Sequence, residues 1–169
     1  EGMGDSDSDG IPDYQDPQSQ AGNVLPLSNG RVMQTSAGLI LKLGRNAFGS
    51  GNGTAVTTLN DIASYGGARG GVSVADDLFT AKSDIIDFEI DGLAQPGDSA
   101  SIVIPLAQAI PANAVYRKFL PTQGWVSLTE GNGYVIQSAV SVNGGCPAID
   151  SSTYTNRLKA GDDCLKLTL

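Results

Sequence analysis

Five aspartates near the N-terminus carry the clearest chemistry in the chain. In "DSDSDGIPDYQD", Asp5, Asp7, Asp9, Asp13 and Asp16 fall at positions 1, 3, 5, 9 and 12 of a loop, with Gly10 at position 6. Alternate carboxylates of a tight turn converge on one point, Gly10 permits the bend, Ile11 at position 7 offers its carbonyl, and Asp16 closes the shell. Calcium takes six to eight hard oxygens at about 2.3–2.6 Å, and this donor set supplies oxygen only. Magnesium fits less well, because it keeps its waters and uses few carboxylates. Solvation of an acidic tail requires neither the glycine nor the spacing. Pro12 lies inside the loop and Pro17 just after it, so no long helix leaves the site as in a calcium sensor. The expected role is structural: the ion folds a segment poor in apolar residues.

The same run accounts for most of the charge. The chain has 169 residues, 18 acids and 10 bases, a net charge of -8. Six of the acids (Glu1 and the five aspartates) precede Pro17, where there is no base, so the rest is nearly neutral. A nearly neutral body argues against nucleic acid and against anionic lipid, both of which need clustered Lys and Arg. No apolar stretch approaches the length of a membrane span, so no membrane insertion is expected. The chain opens on Glu1 with nothing resembling a signal peptide, and any targeting segment is expected to lie outside these residues.

Histidine is absent, which removes the commonest general base and every Ser-His or Cys-His arrangement. A non-enzymatic protein is expected. Cys146 and Cys164 are the only cysteines. A disulfide between them would stabilise the fold by roughly 3 kcal/mol and belongs to a non-reducing compartment; two reduced buried thiols are the alternative. "GRNAFGSG" has phosphate-loop glycines, but Ser50 stands where the lysine is required, and a flexible loop is expected there. Asp76, Asp77 and Asp84 offer a weaker second oxygen site. Asn52, in "NGT", is a candidate glycosylation acceptor.

The elements that must carry these residues are short. Residues 17–30 read as a connector rich in Pro, Ser, Gln and Gly. "RVMQTS" and "LILKLG" read as strands, and Thr58 as the cap of a short helix bearing Leu59 and Ile62 and ending at Gly66. In "DIIDFEIDGL", Ile86, Phe88 and Ile90 face one way and Asp87, Glu89 and Asp91 the other, the pattern of one half-buried strand. "ASIVIPL" reads as a more fully buried strand, followed by "AVYRKFL", "GWVSLT", "GYVIQSAVSV" and a final "CLKLTL". Short strands between Gly and Pro turns indicate an all-β protein: an antiparallel β-sandwich, immunoglobulin-like or jelly-roll-like, with an N-terminal calcium-binding loop. Residues 1–23 form the calcium-binding repeat and linker, and residues 24–169 the sandwich domain. Tyr116 and Trp125 read as core or cross-strand aromatics.

"DSDSDGIPDYQDP" resembles a thrombospondin type 3 repeat, a calcium-binding unit that normally occurs in tandem. The remainder, through "IPLAQAIPANAVYRKFLPTQGWVSL" and "GGCPAIDSSTYTNRLKAGDDCLKLTL", resembles the choice-of-anchor U domain of bacterial surface and secreted proteins. The resemblance implies calcium ligation by Asp5, Asp7, Asp9, Asp13 and Asp16, a Cys146–Cys164 bridge, an extracellular location and no catalytic residue. With a single repeat, some ligands are expected from a neighbouring chain.

Two functions follow. The first is a structural module, a cell-surface stalk or the subunit of an extracellular fibre. It would self-associate head to tail through calcium-bridged contacts or by strand addition at the N-terminal arm or the last strand. The alternative is an adhesin or carbohydrate-binding module that uses the Gly-rich loops between residues 44 and 84, with Tyr65 and Trp125 as stacking residues for a glycan or other surface ligand.

Overall fold

Three consecutive buried residues, Ile102, Val103 and Ile104, need apolar cover on both faces of a strand. The computed structural model, which describes residues 22–128, 131 and 133–169, provides that cover by placing this strand inside a sheet. The strands are β1 (Val24–Pro26), β2 (Val32–Thr35), β3 (Ile40–Leu43), β4 (Val56–Thr57), β5 (Ile85–Ile86), β6 (Phe88–Asp91), β7 (Ser101–Pro105), β8 (Arg117–Leu120), β9 (Gly124–Ser127), β10 (Val135–Ala139), β11 (Thr155–Asn156) and β12 (Cys164–Thr168). Two six-residue helices, α1 (Arg45–Ser50) and α2 (Leu59–Ser64), follow β3 and β4. Every strand pairing among the described residues is antiparallel, as the sequence pattern indicated.

Six strands form the main sheet, in the order β1-β2-β7-β12-β10-β11. Its register aligns Leu165 with Ile104, Leu167 with Ile102, and Ile136 with Leu167. These residues, with Leu25 and Met33, form one core cluster on one face. On the other face Val103, Ala139, Tyr154 and Cys164 form a smaller cluster, joined by half-buried Cys146 and Ile149. The alternation within β12 therefore divides its residues between two cores.

The larger cluster is shared with strands outside that sheet. In the β3–β6 ladder, Leu41 faces Ile90 and Leu43 faces Phe88; in the β4–β5 ladder, Val56 faces Ile86. All six pack into the same core. Ile86, Phe88 and Ile90 thus share a side as their spacing requires, and the side opposite the six-stranded sheet consists of two-stranded ladders. The remaining ladder is the β8–β9 hairpin.

Four local expectations are corrected. The connector contains a strand, β1, because Leu25 is fully buried. "GRNAFGSG" is a helix, α1, rather than a loop. "DIIDFEIDGL" is two strands broken at Asp87. The last strand is interior, bonded to β7 on one side and β10 on the other, so β12 has no free edge for strand addition. The short helix at Thr58 forms as expected: Thr58 Oγ1 accepts from Asp61 N (3.1 Å) and the Asp61 carboxylate accepts from Thr58 N (2.9 Å), a reciprocal capping box.

Candidate functional site

The calcium-loop residues Asp5, Asp7, Asp9, Ile11, Asp13 and Asp16 lie outside the described residues. What the structure gives is their point of attachment. Gly22 O accepts from Leu41 N (2.7 Å), Asn23 O accepts from Thr35 N (2.9 Å), and Asn23 Nδ2 donates to Thr35 O (3.1 Å). The chain is therefore fixed to both β2 and β3 where it enters the body. Five residues lie between Asp16 and Gly22, a reach of at most about 20 Å over the six steps. Five carboxylates and one carbonyl are a hard-oxygen set suited to calcium.

Among the described residues no group of three or more His, Cys, Asp or Glu could hold a metal ion. Asp76, Asp77 and Asp84 do not converge, which removes the second oxygen site. Asp84 pairs with Arg31 (2.6 Å) and accepts from Ser28 Oγ (2.9 Å). Asp76 is held by Arg117, whose Nε and Nη2 donate to its two oxygens at 2.8 and 3.0 Å. Asp77 is exposed.

Arg117 is the centre of a latch between the β8–β9 hairpin and residues 69–79. Its Nη1 donates to Ser127 Oγ (2.9 Å), its Nη2 also to Trp125 O (3.0 Å), and its guanidinium lies 4.5 Å from the Phe79 ring centroid. Trp125 Nε1 donates to Val74 O (2.9 Å), and the indole meets Phe119 edge-on at 5.5 Å. Trp125 is thus a half-buried cross-strand aromatic, tied to the strap by its indole nitrogen. Tyr116 packs against the larger core, and burial pushes its phenol up to about 12.

Hydrogen bonding from Arg117 holds the Asp76 carboxyl below its ordinary 3.8. Because the native pKa is the lower one, this group favours the folded latch at pH above the ordinary value. That contribution fades as the pH falls through the depressed native value. Trp125 is the only tryptophan, so its fluorescence reports the latch. Acidification is expected to expose Trp125 to quencher in the wild type, whereas Asp76→Asn is expected to leave it quenchable already at neutral pH. Equal quenching of the two proteins at neutral pH would show that the strap is held without Asp76.

The Gly-rich region owes its order to Asp87. This residue interrupts β5–β6 and accepts with its carboxylate from Asn46 N (2.7 Å) and Ala47 N (3.3 Å), capping α1 from a distant part of the chain. Its backbone bonds Gly44 N (3.0 Å) and Ala55 O (2.8 Å). A Cβ on Gly44 would clash with that carboxylate, so any larger residue would push Asp87 off the cap. Sequence pattern placed Asp87 on the solvent side; no local signal announces a cap supplied from 40 residues away. Tyr65 is exposed, with its ring lying against Gly49. Asn52 is exposed directly after α1.

Cys146 and Cys164 form a disulfide with Cα atoms 5.6 Å apart. Tyr154 beside it donates to Pro147 O (2.8 Å), and desolvation raises its phenol to about 12. An open polar cleft of about 350 Å³ is lined by Ala81, Lys82, Ser83, Asp84, Ala107 and Gln108; its carboxylate is the one already engaged by Arg31. No helix among the described residues is long and apolar enough to cross a membrane. No family model matches the chain, and neither a curated protein nor a solved structure does.

Proposed function

We propose that the chain is a non-enzymatic, calcium-binding structural module of an extracellular surface: a stalk, or the subunit of a fibre assembled head to tail. The observation that carries this reading is the spacing of Asp5, Asp7, Asp9, Asp13 and Asp16 around Gly10, set immediately before a body that the chain enters through fixed bonds at Gly22 and Asn23. An ion ordering that segment turns a polar tether into a stiff joint. The absence of histidine from the sequence and the Cys146–Cys164 disulfide agree with a structural protein in an oxidising compartment. With one repeat, the calcium shell is completed by a neighbouring copy, and the ion becomes the contact between subunits. Strand addition falls to the N-terminal arm, since β12 is interior. A carbohydrate-binding reading rests on Tyr65, which is exposed, and on Trp125, which is half-buried and tied to Val74 O by its indole nitrogen.

Sedimentation of the full chain with calcium and with a chelator tests the proposal. Calcium is expected to produce larger species, and the paired change Asp7→Asn with Asp9→Asn to prevent them. A monodisperse monomer indifferent to calcium overturns the assembly reading, and a titration in which no calcium binds overturns the site itself.

A further inference from the structure

Three Asn-Gly pairs lie among the described residues, at Asn29–Gly30, Asn52–Gly53 and Asn143–Gly144, and their surroundings differ. Asn143 has φ 53 and Gly144 φ 81, the conformation of a two-residue hairpin turn. The turn is closed on both sides by Val142 N to Gly145 O (2.8 Å) and Gly145 N to Val142 O (3.1 Å). Asn29 has φ 59 and ψ 34 in a turn closed by Leu27 N to Arg31 O (2.8 Å) and Arg31 N to Ser28 O (3.3 Å). Asn52 has no such brace. All three asparagines are exposed, and all three glycines have nothing within 4 Å of where a Cβ would stand. Gly53 N and Gly144 N alike donate to no backbone acceptor among the described residues, so the bracing bonds are what distinguishes the sites; at Asn52 the backbone N meets only Ser50 Oγ, at 3.4 Å.

We infer that Asn52–Gly53 is a self-modifying site, at which the chain converts its own asparagine to aspartate and isoaspartate using only water. The Gly53 nitrogen gives up its proton to water or hydroxide and bonds to Asn52 Cγ; the Cγ–Nδ2 bond breaks and ammonia leaves with a proton. Water then opens the five-membered imide at either carbonyl. Cleavage on the side-chain side gives Asp, and cleavage on the main-chain side gives isoaspartate, whose backbone runs through the former side chain. The glycine matters because no Cβ obstructs the nitrogen as it swings towards Cγ. A turn closed by two hydrogen bonds must open before that swing occurs.

The site lies where the product has consequences. Asn52 follows α1, whose last turn ends with Gly51 N bonded to Phe48 O (3.1 Å), and a new carboxylate there faces the negative end of the helix. Three residues on, Ala55 is fully buried, with its N bonded to Pro26 O and its O to Asp87 N, both at 2.8 Å. The extra backbone carbon of isoaspartate must be absorbed between these two fixed points.

The test is to age the full chain, made in a host that adds no glycan, at mildly alkaline pH and to map the tryptic peptides by mass and by isoaspartate content. The Asn52 peptide is expected to gain one mass unit ahead of Asn29 and Asn143 and to contain isoaspartate. Asn29 and Asn143, the latter resolved by fragmentation from Asn132 in the same tryptic peptide, should lag by about tenfold, as expected for two further hydrogen bonds that must open. Asn52→Gln is expected to abolish early conversion. Conversion of Asn29 or Asn143 as fast as Asn52, or an Asn52 amide that outlasts them, overturns the inference.

Discussion

Replacing both cysteines with alanine is expected to lower the unfolding free energy by about 3 kcal/mol, the entropy released to the unfolded chain when a loop of this size is no longer closed. For a chain of this length that is a fall of about 10 °C in the thermal midpoint. The bridge fastens Cys146, in an irregular segment, to Cys164, which is fully buried at the start of β12. Along with Tyr154 and Ile149 it forms the only apolar cover that the described residues place over Val103 and Ala139. Backbone bonds from β12 to β7 and β10 do not depend on it. Far-ultraviolet dichroism should therefore be preserved in the folded variant, while amide exchange accelerates across residues 140–163. An unchanged midpoint would mean that the segment is already ordered without the bridge.

Leu41→Ala is expected to cost about 3 kcal/mol, within the range for truncating a fully buried leucine. Leu41 is 2 % exposed and sits in the β3–β6 ladder, and the core cluster it belongs to also holds Leu25, Met33, Ile102, Ile104, Ile136, Leu165 and Leu167 of the six-stranded sheet. Its loss should lower the stability of both sides at once. Urea unfolding followed by Trp125 fluorescence and by dichroism should give coincident transitions, both shifted to lower denaturant. A cost below about 1 kcal/mol, well under the usual range, would show that the ladders rest on the sheet without sharing its core.

The features legible in the sequence were those whose cause is local. Thr58 ahead of Leu59 and Ile62 announces a helix start, since a cap and the first turn it serves lie within a few residues. Ile86, Phe88 and Ile90 announce their common side through a period of two. The unbroken run Ile102–Val103–Ile104 announces a strand covered on both faces. Other features depend on distant partners. Asp87 has the same spacing as Glu89 and Asp91, and only the approach of Gly44 makes it a helix cap. α1 has no cap of its own, so its sequence reads as loop until Asp87 arrives. Arg117 and Asp76 lie 41 residues apart, and neither pattern nor composition pairs them. Trp125 could be recognised as a cross-strand aromatic, but the strap over it could not. The candidate calcium site is the reverse case: its chemistry is written in the spacing of Asp5 to Asp16, and the body adds only the place where that segment is attached.

The interior position of β12 also governs how the fold can be reached. The sheet needs residues 164–168 between strands at 101–105 and 135–139, so no shorter N-terminal portion of the chain can complete it. During synthesis β7 and β10 emerge before the strand that joins them, each with an open row of backbone groups, a condition that favours association with other chains. Pairings this distant in sequence close slowly. Until residues 164–168 are available the sheet stays open, and the body acquires its rigid form only after they have been delivered.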